Sequence, residues 1–121
     1  MIKVVTTLKK KVGMSTESFR AYYESHHRLI GEKYLNSFAV RYLRRYLDSL
    51  PGNDGIIEAP EFDVLLEIWF PDEATFKACS EKLSEPDVAR EIEIDEDKLF
   101  ERGQKRSYAV TECESEFKGE Q

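Results

Sequence analysis

A histidine and a tyrosine lie one helical turn apart in the first third of the chain. Tyr23 precedes His27 by four residues, which places both side chains on the same face of an α-helix. An imidazole, with an ordinary pKa of about 6.5, donates or accepts a proton near neutral pH. A neighbouring phenol hydroxyl can help it to hold and polarise a phenol, enol or carboxylate. We therefore predict that His27 and Tyr23 are catalytic; the alternative is a structural His27 whose ring bonds a loop carbonyl.

Candidate substrate-binding residues lie on two predicted strands. Tyr42, Arg44 and Tyr46 alternate along the second strand and share one of its faces. They can supply hydroxyl groups and a cation to an acidic substrate, and a role in an aromatic core or interface, with Arg44 in solvent, fits equally well. Glu67 and Trp69 share a face of the third strand. If that face lines a cavity, Trp69 is a stacking wall and Glu67 a base with a pKa raised by desolvation; otherwise Glu67 is an interface residue paired to an arginine.

The sequence lacks the motifs of metal and nucleotide sites. His26 lies about 100° around the helix from His27, so a rigid helix cannot easily direct both to one metal. Cys79 and Cys113 occur in no metal-binding spacing, and there is no glycine-rich phosphate loop or nucleophile elbow. We expect neither a metal nor a nucleotide cofactor. Asp95, in an acidic segment, is interpreted as a structural cap more readily than as a catalyst.

The length, charge and hydropathy of the chain disfavour several classes of partner and location. A chain of 121 residues fits one domain, and its formal net charge of -6 disfavours binding to nucleic acid. No apolar run approaches the roughly 18 residues that span a membrane. The N-terminal residues are too few and too alternating for a signal peptide. Two isolated thiols without such a signal indicate a reducing, cytoplasmic setting.

The pattern of apolar residues predicts the order β-α-β-β-α-β. This is the ferredoxin-like α+β arrangement, with an antiparallel sheet, and it occupies residues 1–113 ahead of a charged, disordered tail over 114–121. Phe19, Tyr22 and Tyr23 begin the apolar face of the first helix. The predicted ranges are 2–11, 37–50, 62–70 and 105–113 for strands, 16–35 and 73–83 for helices, 86–100 for short acidic helical pieces, and 51–60 for a long loop.

One face of the predicted sheet needs a cover that the two helices cannot provide. Both helices of such a fold pack on the same side of the sheet. The other face carries Leu65 and Trp69 on its third strand, and a bare Trp exposes on the order of 150–250 Å². We therefore predict a homodimer in which two sheets pack face to face and leave a small apolar cavity. The alternative is a polar sheet face that tolerates two apolar residues.

Five segments of the chain form a recognisable series. They are Gly13-Met14-Ser15-x-x-x-Phe19-x-x-Tyr22-Tyr23-x-x-x-His27, Glu67-Ile68-Trp69-Phe70, Asp72-Glu73-x-x-Phe76, Asp95-Glu96-x-x-x-x-Phe100 and Thr111-Glu112. In this order and spacing they resemble the EthD family, a branch of the dimeric α/β-barrel superfamily, and the resemblance covers about residues 3–113. Counting eight residues from Phe19 selects His27 as the family's histidine, and Arg28 follows where the family often has a small residue.

The resemblance implies a homodimer with a pocket between the first helix and the sheet. It also implies a small cofactor-independent enzyme that acts on a hydrophobic, oxygenated molecule, polyketide-like or aromatic. His-centred decarboxylation, dehydration or cyclisation would fit such a protein. Two alternatives stay open: an oxidoreductase or monooxygenase of the same superfamily, with haem as a conceivable cofactor ligated by His27, and a non-catalytic dimer that binds a small ligand.

Overall fold

Four antiparallel strands form a single sheet, with the helices packed on one side. The computed structural model describes residues 1–119, and the strand order across the sheet is β2-β3-β1-β4. This is the ferredoxin-like α+β fold that the sequence predicts. The elements are β1 (Ile2–Leu8), α1 (Thr16–Tyr22), a π-helical turn (Tyr23–His27), α2 (Arg28–Leu35), β2 (Arg41–Tyr46), β3 (Val64–Phe70), α3 (Glu73–Leu83), α4 (Pro86–Leu99), a 3₁₀ turn (Arg102–Gln104) and β4 (Arg106–Ala109).

The predicted helix over 16–35 is one helical stretch that contains a π-helical turn. Ser15 caps its start, where the Ser15 hydroxyl accepts a hydrogen bond from the backbone N–H of Ser18. A π-turn inserts extra backbone into the helix and shifts the faces that follow, and such turns are frequent at functional sites. Here the turn begins at Tyr23 and ends at His27, and both side chains are buried.

The second crossover consists of two helices. Asp72 caps α3 by accepting a hydrogen bond from the Thr75 N–H at 2.7 Å. Pro86 occupies the first turn of α4, where its missing N–H needs no partner. The segment predicted as short acidic pieces is therefore one 14-residue helix, and it directs Asp95 and Glu96 inward, where both are buried.

The two faces of the sheet are chemically different. Val4, Ile68 and Tyr42 are cross-strand neighbours and point toward the helices, and Lys3, Trp69 and Arg41 form the neighbouring row. Because successive residues of a strand point to opposite faces, this second row lies on the side without helices. We call that side the outer face.

The residues that directly follow β4 remain beside β1. The Val110 N–H donates to the carbonyl of Lys3 at 3.0 Å, and the Lys3 ammonium donates to Glu112. Residues 114–119 form no helix or strand; residues 120 and 121 of the predicted disordered tail lie outside the described residues. None of the helices within residues 1–119 is long and apolar enough to cross a membrane.

Candidate functional site

A small cavity lies between the helices and the helix-facing side of the sheet. Its volume is about 230 Å³, which is below the roughly 300–1,000 Å³ of drug-sized pockets and suits a ligand about the size of one substituted ring. Most of the lining is apolar, including Val4, Ile30, Leu66, Ile68, Phe70 and Phe76. The polar groups that interrupt it include Tyr23, His27, Tyr42, Glu96, Lys105 and Ser107.

His27 lines this cavity and is held by a carboxylate from α4. Its Nδ1 lies 2.8 Å from Oδ2 of Asp95, and both residues are only 7 % exposed. A carboxylate only accepts hydrogen bonds. Nδ1 therefore carries the ring hydrogen and donates a hydrogen bond to Asp95. The Nε2 atom is then the free basic nitrogen of a side chain that borders the cavity.

The second oxygen of Asp95 is also occupied. The Tyr22 hydroxyl donates to Oδ1 of Asp95 at 2.5 Å. Burial, followed by the contact with Asp95, raises the pKa of Tyr22 to about 12, so this hydroxyl keeps its proton and remains a donor. The exposed His26 stacks on the Tyr22 ring at 4.5 Å between centroids. Tyr22, Asp95 and His27 thus form a hydrogen-bonded chain that fixes the orientation of the imidazole.

Two tyrosine hydroxyls meet in the cavity. The hydroxyl oxygens of Tyr23 and Tyr42 lie 3.5 Å apart, and burial is the main reason that the pKa of each is raised. Tyr42 fits because Gly31 has no side chain: a Cβ there would lie 2.6 Å from the Tyr42 hydroxyl. Tyr23 packs edge-on against His27, with ring centroids 5.2 Å apart. The predicted His27 and Tyr23 therefore border the same cavity.

Arg44 shares the helix-facing side of β2 but does not line the cavity. Its guanidinium donates from Nε and from Nη2 to the two oxygens of Glu24, both at 2.9 Å, and lies over the Tyr42 ring at 4.8 Å. The Tyr46 hydroxyl donates to the same Glu24 carboxylate at 2.6 Å. The predicted cation for the substrate is thus engaged by Glu24, and it supports Tyr42 from outside the cavity.

Glu67 and Trp69 lie on the outer face, away from the cavity. The Trp69 Nε1–H donates to Glu67 at 2.6 Å, and Arg45 pairs with Glu67 at 2.9 Å. These contacts, that of Trp69 first, hold the pKa of Glu67 below its usual value. The expected rise in this pKa is therefore wrong, and a ligand in the cavity described here does not touch either residue. The alternative, an arginine-paired Glu67 on that face, matches the observed contact.

The site also contains residues that sequence reasoning did not assign to it. The sequence favours a capping role for Asp95, and no motif assigns Tyr22, Glu96 or Lys105 to the site. One signal was present: the Asp95-Glu96 pair belongs to a segment that resembles the EthD pattern. Because the neighbouring residues are also acidic, the sequence did not indicate that these two side chains point inward.

The described residues give no support for a metal or haem site. Within residues 1–119, no three His, Cys, Asp or Glu side chains are grouped so that they could hold a metal ion. A haem macrocycle is larger than a cavity of about 230 Å³, so the haem alternative does not fit this site.

Comparison with solved structures places the fold among related proteins. HapK from Hahella chejuensis is similar over 98 % of this chain and 99 % of its own, with a TM-score of 0.60 and 12 % identity. An uncharacterized NIPSNAP domain protein from Burkholderia xenovorans (TM-score 0.51, 15 % identity) covers 93 % and 95 %. An antibiotic biosynthesis monooxygenase (TM-score 0.51, 11 % identity) covers 94 % and 100 %. At these identities the likeness establishes the fold alone.

Comparison with protein families is more specific than comparison of folds. A search of curated proteins finds no significant match to this chain. The EthD domain model, in contrast, matches residues 11–103. That range begins after β1, ends in the 3₁₀ turn, and contains His27, Asp95 and most of the cavity lining. Because the match covers well over half of the sequence, the chain belongs to the EthD domain family.

Proposed function

We propose that this protein is an enzyme that moves a proton on an apolar, oxygenated small molecule, with His27 as the general base or acid. One observation supports this most directly: the imidazole borders an apolar cavity while a buried carboxylate holds its other nitrogen. An oriented imidazole of this kind accepts a proton at Nε2, and the adjacent carboxylate stabilises the resulting cation. Decarboxylation, dehydration and cyclisation of phenolic or polyketide-like molecules all require such a step.

The tyrosine pair provides the second part of the proposal. The hydroxyls of Tyr23 and Tyr42 border the same cavity and remain protonated because burial raises the pKa of each. They can donate hydrogen bonds to a carbonyl or enolate oxygen of the substrate while His27 handles the proton. Under this proposal Tyr23 and Tyr42 touch the substrate, and Arg44 positions Tyr42.

The proposal is tested by following proton exchange directly. Candidate phenols and β-keto compounds are incubated with the protein in D₂O, and exchange of their acidic C–H positions is followed by NMR. We expect His27→Gln to lower the rate by at least about 100-fold, the usual size of a general acid–base contribution. The matched control is His26→Gln, which alters the exposed neighbouring histidine. Equal rates for His27→Gln and the wild type would remove the assigned role.

A monooxygenase reaction is the second candidate, because one structural neighbour is described as an antibiotic biosynthesis monooxygenase. Deprotonation of a quinol at Nε2 of His27 would give an anion that can react with molecular oxygen. Oxygen uptake with quinols, absent in His27→Gln, would favour this reaction over a non-redox one. Binding without either conversion would favour the third possibility, a small-ligand carrier.

We also propose that two copies pair through the outer face. Trp69 is only half-buried there, between the cations of Lys3 at 3.9 Å and Arg41 at 4.6 Å from its ring, and Leu65 lies on the same strand face. A second sheet would cover this apolar surface. Sedimentation velocity of the wild type and of Leu65→Lys tests the pairing; a monomeric wild type at micromolar concentration would contradict it.

A further inference from the structure

The polar end of the cavity carries a lysine beside a buried carboxylate. Lys105 and Glu96 both line the cavity. The Lys105 ammonium donates to Glu96 Oε2 at 2.8 Å, and the Glu96 side chain is only 6 % exposed. Ser107, two residues after Lys105, also lines the cavity, and its hydroxyl lies 2.8 Å from that of Thr6. The lining of the apolar cavity thus includes a small set of groups that donate and accept hydrogen bonds.

A contribution to stability is a weak explanation for the buried carboxylate of this ion pair. A buried carboxylate is costly to desolvate, and apolar residues of similar volume are often at least as stabilising in its place. The remainder of the lining shows that apolar residues fill this space readily. A charged pair at the border of an apolar cavity is therefore better explained by what it binds.

Lys105 retains hydrogen-bonding capacity for a ligand. An ammonium group has three donors, and within residues 1–119 that of Lys105 uses one, toward Glu96. Arg102 Nε donates to the same Glu96 at 3.3 Å, so Lys105 is not the only cation that compensates this carboxylate. The Lys105 side chain is 39 % exposed, which places its charge where the cavity meets solvent.

We infer that Lys105, held in place by Glu96, binds an anionic oxygen of the ligand at the mouth of this cavity. The ligand class is then a ring-sized apolar acid, a carboxylate or an acidic phenol, whose charged group stays near solvent while its apolar body enters the cavity. This inference rests on the proposed function of the same cavity, and it adds the charge and orientation of the substrate. Lys105 is a specificity-determining residue in this scheme.

Binding of a matched acid and amide tests the inference without knowledge of the substrate. Benzoate and benzamide have the same ring but differ in charge, and their dissociation constants are measured by NMR titration. We expect the wild type to bind benzoate about tenfold or more tightly than benzamide, as a charged hydrogen bond implies. Lys105→Met removes this preference, because benzoate then binds no more tightly than benzamide. The control Lys98→Met makes the same change in charge at an exposed position of α4, and this variant still prefers benzoate.

Two further variants keep the result interpretable. Lys105→Met leaves Glu96 without its closest cation, so the double variant Lys105→Met/Glu96→Gln is measured as well, and it also lacks the preference for benzoate. His27→Gln still prefers benzoate, which separates this inference from the catalytic role of His27. The inference is overturned if the wild type does not bind benzoate, if it binds both compounds equally, or if the double variant still prefers the acid.

Discussion

Replacement of Asp95 by asparagine isolates the electrostatic part of the proposed mechanism. The side chains have nearly the same shape, so Asp95→Asn removes a charge and an acceptor with little change in packing. In the wild type the two oxygens of Asp95 accept from His27 and Tyr22. Asparagine has one acceptor oxygen and one donating NH₂ group. It cannot accept both bonds, so the proton on the His27 ring is no longer confined to Nδ1.

The expected effect follows from the separation of the charges. When His27 accepts a proton at Nε2, a positive ring lies beside the carboxylate, with 2.8 Å between Nδ1 and Oδ2 and about 4 Å between the centres of charge. At an effective dielectric constant of about 20 this attraction amounts to about 4 kcal/mol. Each 1.36 kcal/mol corresponds to a factor of about ten in rate. Because the asparagine dipole recovers part of the attraction, we expect the rate of proton transfer to fall about 100- to 1,000-fold.

The position of the ring proton can be measured independently of turnover. The chain has two histidines, so ¹H–¹⁵N correlation spectra at a pH where both rings are neutral contain two imidazole patterns. We expect wild-type His27 to carry its proton on Nδ1, and Asp95→Asn to move a substantial part of it to Nε2. His26, whose Nδ1 bonds the Ser25 hydroxyl at 2.8 Å, serves as the internal reference.

A matched control and a clear contradiction complete this test. Asp97→Asn makes the same substitution at an exposed position of α4, and we expect it to change neither the ring proton nor the rate. The reasoning is refuted if the wild-type proton resides on Nε2, or if Asp95→Asn turns over within about threefold of the wild type.

Two further substitutions test the residues that hold Tyr42 in place, Gly31 directly and Glu24 through Arg44. Gly31→Ala gains about 1 kcal/mol in helix propensity but forces a Cβ to within 2.6 Å of the Tyr42 hydroxyl. Overpacking costs about 1–3 kcal/mol, so we expect a net loss of about 1 kcal/mol, and a higher melting temperature would contradict the packing. The pKa of Glu24 is lowered, mainly by Arg44, so its ionised form stabilises the fold above its ordinary pKa of 4.5 and this contribution is lost as pH falls through the lowered value. Urea denaturation should therefore show a smaller loss of stability below pH 4.5 in Glu24→Gln than in the wild type or in the control Glu17→Gln.

Local patterns were sufficient to predict most elements of the fold. Apolar residues at every second position of 62–70 identified β3, and the Asp72 cap fixed the start of α3, which runs from Glu73 to Leu83 as expected. The first, second and last strands were predicted too long, as 2–11, 37–50 and 105–113, whereas β1, β2 and β4 contain seven, six and four residues. The residues beyond these strands belong to connecting segments, and a sequence pattern does not distinguish them from strand residues.

The site could be predicted only in part because its contacts join distant segments. His27 and Tyr23 were identified from their spacing, but the partner of His27 lies 68 residues away on α4. The acids around Asp95 are typical of a solvated helix surface, and only tertiary packing turns this residue inward. The π-helical turn has no comparable local pattern. The alternation of side chains along β3 correctly placed Glu67 and Trp69 on one face of the strand. Because both faces of β3 carry apolar side chains, the sequence did not show which face the helices cover.

The cavity and the proposed dimer interface lie on opposite sides of the sheet, so catalysis and dimerisation are separate proposals. The sequence predicted a hollow left where two sheets pack together, and the family resemblance implied a pocket between the first helix and the sheet. A single chain supplies the cavity, the imidazole and its carboxylate. Residues of β3 alternate between the two sides, so Leu66 and Ile68 line the cavity while Glu67 and Trp69 belong to the outer face. A second copy on the outer face would stiffen β3, which carries part of the cavity lining, but it would not contact a ligand in the cavity. Leu65→Lys should accordingly weaken pairing far more than it weakens binding of benzoate, and equal losses would mean that the second copy completes the site.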